Sequence, residues 1–338
     1  MPIQIYFHYK FVEGPWGGGN QFLKALRGEF VRNGVCSNNI KNADAVIFNS
    51  HQDISKILSI KRQHRNHMFI HRLDGPMSYR GDSGRRLDRL IFYINHLIAD
   101  GTVFQSEWSR KASIVAGYTR QSFEKVIYNA PDPQIFFPGD RNSRQSLEGK
   151  IRLIATSWSG AMDKGAEIYN YLDNNLDFGR YDMTFVGNSP IEFRNIVSVA
   201  PVSSEKLADI LRQHDIFVSA SQYEACSNSL LEASHCGLEV IARNSSSNPE
   251  LVNTVDNLFD DRNDILDTIE FVAKSQDKNN DTNRIVHDIQ SAGSSYYTFV
   301  NEILADTATE KYTVKTISFW DYLKAIVMIR IAACTGLI

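Results

Sequence analysis

The chain opens on an apolar run, IQIYFHY, followed by a glycine-rich turn and the helical stretch QFLKALRGEFVRNG. The alternation then repeats. ADAVIFNS, HMFIHRL, GTVFQS and EKVIYN read as strands, while ISKILSIKRQ, LDRLIFYINHLI and EWSRKASIVAG read as the helices between them. Continuous apolar runs are what a strand covered on both faces requires, and helices between them imply parallel βαβ units. A second series of the same kind follows. IRLIATS, YDMTFVG, NIVSVA, DIFVSAS and LEVIAR are its strands, with helices at AEIYNYLDNNL, SEKLADILRQH and SNSLLEASHC. No sequence repeat relates the two halves. Between them FPGDRNSRQSLEGK is polar, holds Pro and Gly, and shows no apolar periodicity, as a linker would.

The expected organisation is therefore α/β: two Rossmann-like domains with parallel sheets, at 1–138 and 150–300, joined by a linker at 139–149. Two such domains place a ligand cleft between them. A tail at 301–338 breaks the rhythm. NEILADTATEKYTVK is mixed and polar, and SFWDYLKAIVMIRIAACTGLI is apolar, with charges only at Asp321, Lys324 and Arg330. The tail reads either as a helix docked back across the domains or as an interfacial helix making a peripheral membrane contact.

Composition narrows the function. With 338 residues, 43% hydrophobic and 22% charged, the chain is long and apolar enough for two ordinary cores. It is neither a disordered chain nor a disulfide-stapled miniprotein. A net charge of −3 speaks against general nucleic-acid binding, which draws on a basic excess. Cys36, Cys226, Cys236 and Cys334 form no CxxC pair, and no His cluster stands at zinc spacing, so neither structural zinc nor a secreted disulfide framework is expected. The start MPIQIYFHYK reads as a first strand and not as a signal peptide, and no apolar stretch approaches a membrane span. A reducing, cytoplasmic setting follows as the expectation.

The densest chemistry lies in DIFVSASQYEACSNSLLEASHCGLEVIA, residues 215–242. A strand ends near Ser219, a polar loop follows, and a helix opens around Ser227 to Ser229. A helix start offers free N–H groups and a positive dipole end, which suit an anion and a diphosphate in particular. Glu224 and Glu232 flank this start as Glu-x7-Glu. Glu232 also completes an S-x-x-E capping box with Ser229, which would give it a structural job. Glu224 has the alternative of a solvated loop carboxylate.

Set in strand–loop–helix–strand, these residues resemble the Glu-x7-Glu signature of family-4-type retaining glycosyltransferases, which have the GT-B fold. Asp215, Ser227 to Ser229, Glu232-Ala233, Gly237 and Pro249-Glu250 agree with that pattern. Four other segments join it. EGPWGGGNQFLKAL carries Gly18 and Gly19 in a turn after the first strand, beside the donor phosphates and the acceptor in that family. DKGAEIYNYL carries Lys164, where the family binds the donor diphosphate. VIYNAPDPQIFFP matches the family's domain junction at Asn129, Asp132, Phe136 and Pro138. HMFIHRLDGP ends a strand with His71, Arg72 and Asp74, and a subset of the family has a very similar stretch.

Departures accompany the match. SWSG stands where the family often has an Arg, Ala-Cys-Ser replaces Gly-Phe-Gly after Glu224, and Leu-Glu-Val follows Gly237.

The resemblance implies transfer of a sugar, of hexosyltransferase type, from a UDP- or GDP-linked donor to a hydroxyl with retained configuration. It implies neither a metal nor a cofactor. His71, Glu224 and Lys164 would be catalytic. Gly18, Gly19, Lys164, Ser227, Asn228, Ser229 and Glu232 would bind the donor, with Glu232 on the ribose, and Arg72 and Asp74 would face the acceptor or pair with each other. His71 has the alternative of a hydrogen-bonded structural histidine. The implied partners are a nucleotide sugar and a glycan or glycolipid acceptor, in surface polysaccharide or lipopolysaccharide synthesis at the inner face of the cell membrane. Two rivals stand beside this reading: a GT-B sugar-nucleotide epimerase, and a degenerate GT-B binding or scaffold subunit.

Overall fold

The computed structural model describes residues 2–14, 16–139, 149–275 and 287–337. The chain forms two compact units. The first joins Met1–Phe11, Leu26–Tyr128 and Gln290–Ile338, and the second joins Val12–Ala25 and Asn129–Ile289. Residues 140–148 of the expected linker lie outside the described residues.

The first unit is built on a parallel sheet of β1 (Ile5–His8), β2 (Ala45–Asn49), β3 (Met68–Leu73), β4 (Gly101–Phe104) and β5 (Glu124–Val126), in that spatial order. The helix α1 (Gly18–Arg32) follows β1, and the chain then touches the outer side of β1 through a parallel bridge from Cys36 to Ile5. It returns to β2 on the other side, so the winding reverses between β1 and β2. The helices α2 (Ile54–Gln63), α3 (Asp82–Ile98) and α4 (Glu107–Val115) complete the crossovers. β2 and β3 are buried at every position, as their unbroken apolar runs require.

The second sheet runs β11 (Leu258–Phe259), β10 (Glu239–Arg243), β9 (Ile216–Ser219), β6 (Ile151–Ser157), β7 (Tyr181–Gly187) and β8 (Val197–Val199), again all parallel. Its helices are α5 (Ala166–Asn175), α6 (Ser204–Leu211), α7 (Asn228–His235) and α8 (Ile265–Ser275). Here the winding reverses between β6 and β9. In doubly wound sheets ligands settle at the carboxyl ends of the strands where such a reversal occurs. The core under this sheet holds Leu153, Ile168, Phe185, Ile216 and Val218.

The helix α9 (Ile289–Ala308) carries the chain back to the first unit, where Phe299 and Ile303 lie against Gly101 of β4. The final helix, α10 (Phe319–Cys334), packs on α2 and α3 through Ala325, Ile329 and Ala332. The tail thus docks within the first unit. Asp100 pins the segment between these helices. It accepts hydrogen bonds from Lys61 Nζ (3.1 Å), the Phe69 N–H (2.8 Å), the Tyr312 hydroxyl (2.9 Å) and the Lys315 N–H (2.7 Å). Both members of the Lys61–Asp100 ion pair are fully buried. All four cysteines are free thiols. Among the described residues no helix is long and apolar enough to cross a membrane.

Candidate functional site

The second unit holds a cavity of about 330 Å³ at its winding reversal, lined by Thr156, Ser157 and Trp158 at the end of β6 and by Ser219 and Ser221 at the end of β9. Its volume is in the range of small-molecule sites. One wall is the start of α7. Ser227 is the N-cap, with its hydroxyl accepting from the Leu230 N–H. The N–H groups of Asn228 and Ser229 are left without intrahelical partners, at the positive end of the helix dipole.

This start also settles the local role of Glu232. Ser227, not Ser229, caps α7, so Glu232 does not stand three residues after the cap and the Ser229–Glu232 capping box is not formed. Instead Glu232 lines the cavity and is 8% exposed, and its carboxyl makes no hydrogen bond among the described residues. Burial raises its carboxyl pKa from 4.5 to about 8. A carboxyl kept neutral in this way can donate as well as accept.

Lys164 and Glu224 meet in the same cavity, Nζ to Oε1 at 2.6 Å, with about a quarter of each side chain exposed. Two local features bring them together. Lys164 ends a single 3-10 turn at Met162–Lys164, and Gly165 follows with φ +96. A Cβ at Gly165 would stand 2.4 Å from the Ala220 side chain, so only glycine lets this turn lie against the end of β9. Opposite, the loop after β9 is held by hydrogen bonds from Glu224 N–H to Ser246 Oγ and from Ser247 N–H to the Glu224 carbonyl. Tyr169 of α5 closes the floor, accepting from the Ala220 N–H and donating to the Val218 carbonyl.

The glycine-rich turn belongs to this unit. Gly17, Gly18 and Gln21 line the cavity at the start of α1, but Gly19 does not. Gly18 faces Asn228 so closely that a Cβ would fall 2.4 Å from its amide, whereas a Cβ at Gly19 would meet nothing. Trp16 and Trp158, with ring centroids 5.5 Å apart, flank the open side at 48% and 41% exposure. Sequence reading missed both tryptophans. The position of Trp158 directly after a strand end was the available signal.

Three expected site residues, His71, Arg72 and Asp74, lie in the first unit. His71 on β3 has no exposed surface. Its Nε2 hydrogen-bonds the Ser50 carbonyl at 3.0 Å, its Nδ1 meets Asn95 Nδ2 at 3.1 Å, and its ring stacks on Phe48 at 4.1 Å. Burial lowers its pKa to about 3, so it is neutral, with Nε2–H donating to Ser50 and Nδ1 accepting from Asn95. Both ring nitrogens are occupied, the arrangement that the structural alternative for His71 calls for. Arg72 is also fully buried, in keeping with the alternative that it pairs with Asp74. It pairs with Asp74 at 3.2 Å, and Asp74 further accepts from Gln105 Nε2 at 2.7 Å. Asp74 alone of the three keeps substantial exposure, 37% of its side chain. The loop after β2 carries two non-glycine residues at positive φ, Ser50 (+41) and Asp53 (+53). Asp53 lies 3.3 Å from His8 Nε2 at the end of β1.

Residues 180–274 match the family model of glycosyl transferases group 1. A curated Klebsiella pneumoniae protein, described as an uncharacterised 41.2 kDa protein in the cps region, is 26% identical over 187 residues. That match covers 51% of this chain and 51% of the relative, so the chain spans about half the length of the curated relative. Among solved structures, Anabaena HepE in complex with UDP-glucose superposes with a TM-score of 0.66 at 14% identity, over 91% of this chain and 100% of that one. The sucrose-phosphate synthase of Thermosynechococcus elongatus gives 0.62 at 12% identity, over 98% and 100%. The chain therefore has the GT-B fold, two Rossmann-like parallel-sheet domains, and residues 180–274 of its second unit resemble glycosyl transferases group 1.

Proposed function

We propose that the chain is a retaining, metal-independent glycosyltransferase. It moves a hexose from a UDP- or GDP-linked donor to a hydroxyl of a glycan or glycolipid, in the synthesis of a surface polysaccharide. The observation that carries this reading is the meeting of Lys164, Glu224, Glu232 and the α7 start in one cavity of the second unit, with Glu224, Glu232 and α7 inside the stretch that matches the group 1 family model. The curated relative's place in a cps region supports the polysaccharide setting, and HepE's UDP-glucose supports the donor class.

In this reading the donor diphosphate lies across the α7 start. Lys164 and the N–H groups of Asn228 and Ser229 stabilise the negative charge that grows on the leaving phosphate as the glycosidic bond breaks. Glu224 holds the sugar hydroxyls and orients Lys164. Glu232 takes the ribose hydroxyls. Lys164 is the only Lys or Arg among the described residues lining the cavity, so the helix amides share the load that a second cation would carry.

Thermal unfolding with UDP, GDP, ADP and CMP, each with and without EDTA, tests this. A ligand confined to the folded state stabilises it by roughly 2.7 kcal/mol at a hundredfold excess over Kd. We expect one diphosphate to raise Tm and EDTA to leave the shift unchanged. Loss of the shift in EDTA would remove the metal-independent mechanism. No shift with any nucleotide would favour the scaffold reading. With the donor base known, an epimerised donor in place of a new glycoside would favour the epimerase.

A further inference from the structure

The helix α10 buries one face on α2 and α3 and leaves the opposite face open. Trp320, Leu323, Val327 and Ile331 follow one another at steps of three and four residues, so they form one row along the helix. They are 76%, 37%, 55% and 59% exposed, and Phe319 beside them is 52% exposed. An all-apolar row on a solvent-facing helix is a mark of something that covers it.

The charges around the row say what. Arg62 of α2 lies over the rings of Phe319 and Tyr322, at 5.4 and 4.6 Å. Lys324 lies over the ring of Tyr93, and Arg330 is exposed. None of these three cations forms an ion pair among the described residues. The one acid of the helix, Asp321, is engaged with Ser318 at the N-cap. Three cations thus stand against one acid along the row, an excess of positive charge on a chain whose net charge is −3. An indole at the end of an apolar row, with cations alongside, matches the profile of an anionic lipid surface: acyl chains for the row, headgroup level for Trp320, phosphate for the cations. A second copy of the chain would bring the same cations against each other. A row one residue wide is also narrow for the ~800 Å² per partner that a stable dimer takes.

We propose that the open face of α10 docks the protein on an anionic membrane, lying in the interface without crossing it. This goes beyond the proposed activity and does not depend on it.

The test is sedimentation of the full chain with vesicles of phosphatidylcholine alone and of phosphatidylcholine with phosphatidylglycerol. We expect binding to the anionic vesicles and little to the neutral ones. The variant V327D/I331D, altered at exposed positions only, should bind at least about tenfold more weakly, with its thermal unfolding unchanged. K324E/R330E should lose the preference for anionic lipid. A second readout does not depend on any charged variant folding. Brominated lipid should quench the fluorescence of the wild-type chain more than that of Trp320→Phe. Equal binding by wild type and V327D/I331D, equal quenching with and without Trp320, or no binding to either vesicle would overturn the proposal. So would a concentration-dependent dimer that V327D/I331D converts to monomer, since the row would then belong to a second copy.

Discussion

Glu232 departs far from the ordinary chemistry of a carboxylate. The folded state holds its proton to about pH 8, whereas the unfolded chain releases it near 4.5. Its pKa is raised on folding, so the folded state binds the extra proton between those values. Stability therefore falls as pH rises through that window, by up to about 1.4 kcal/mol per pH unit. Glu232→Gln removes the ionisation, and its urea midpoint should lose this part of the pH dependence; parallel curves for the two proteins would contradict the burial argument. At neutral pH the neutral acid and the amide offer similar hydrogen bonds. Glu232→Gln should then keep nucleotide affinity within about threefold, while Glu232→Ala weakens it by about tenfold, some 1.4 kcal/mol. For the ion pair, Lys164→Ala and Glu224→Ala should each lower kcat/KM by at least about tenfold. Because the two side chains touch, the double variant should fall within about threefold of the worse single one. Losses that multiply would mean that they act separately.

Much of this site was legible from residue order alone. Lys164, Glu224, Ser227, Asn228, Ser229 and Glu232 stand together as their places after strand ends imply, because parallel strands direct their carboxyl ends to one edge. His71 and Arg72 also stand near a strand end, but burial is not visible in a string of letters. Of the partners that occupy them, Asn49, Ser50 and Asn95 come from two other segments of chain, and Asp74 from just beyond the same strand. Trp16 and Trp158 escaped for a similar reason. They are separated by more than a hundred residues in sequence, and only the folded second unit brings their rings together.

At the scale of elements, each strand and helix read in 1–243 is present, since apolar runs and their polar interruptions fix local structure when both faces of a sheet are covered. What periodicity does not carry is which helix belongs to which unit. α1 is divided between the two, and α9 and α10 follow the second series in sequence yet fold into the first unit. Asp100 is the reason for part of this. It joins β4 to α2 through Lys61 and to the C-terminal segment through Tyr312 and Lys315. Asp100→Asn would leave the Lys61 ammonium buried without its counter-charge and set an amide N–H against existing donors. Removing one partner of a buried pair costs about 3–5 kcal/mol, so the urea midpoint should fall accordingly. A loss under about 1 kcal/mol would show that the pair relaxes into solvent.

On the scale of the whole molecule, each unit reverses its winding once, between β1 and β2 and between β6 and β9. The cavity of the second unit lies at its reversal. In the first unit, the corresponding edge gathers His8, Ser50, Asp53 and Asp74, with two residues held at positive φ. Strained non-glycine backbone persists where the surroundings over-determine it, commonly at ligand sites. Acceptor discrimination is accordingly expected from this edge. Asp74→Asn should change KM for the acceptor by severalfold while leaving nucleotide-induced stabilisation intact; loss of the nucleotide shift would instead tie Asp74 to the donor.

The 2.6 Å contact between Lys164 and Glu224 has one more consequence. A cation already held by a carboxylate answers only to a rival of greater negative charge. Nucleosides and free sugars have nothing to offer it, and a monophosphate offers less than a diphosphate spread along the helix start. In the proposed reading the pair would work as a threshold. A nucleoside diphosphate, with or without its sugar, is then the kind of ligand expected to draw the lysine off the carboxylate, whereas a nucleoside or a free sugar leaves it where it was.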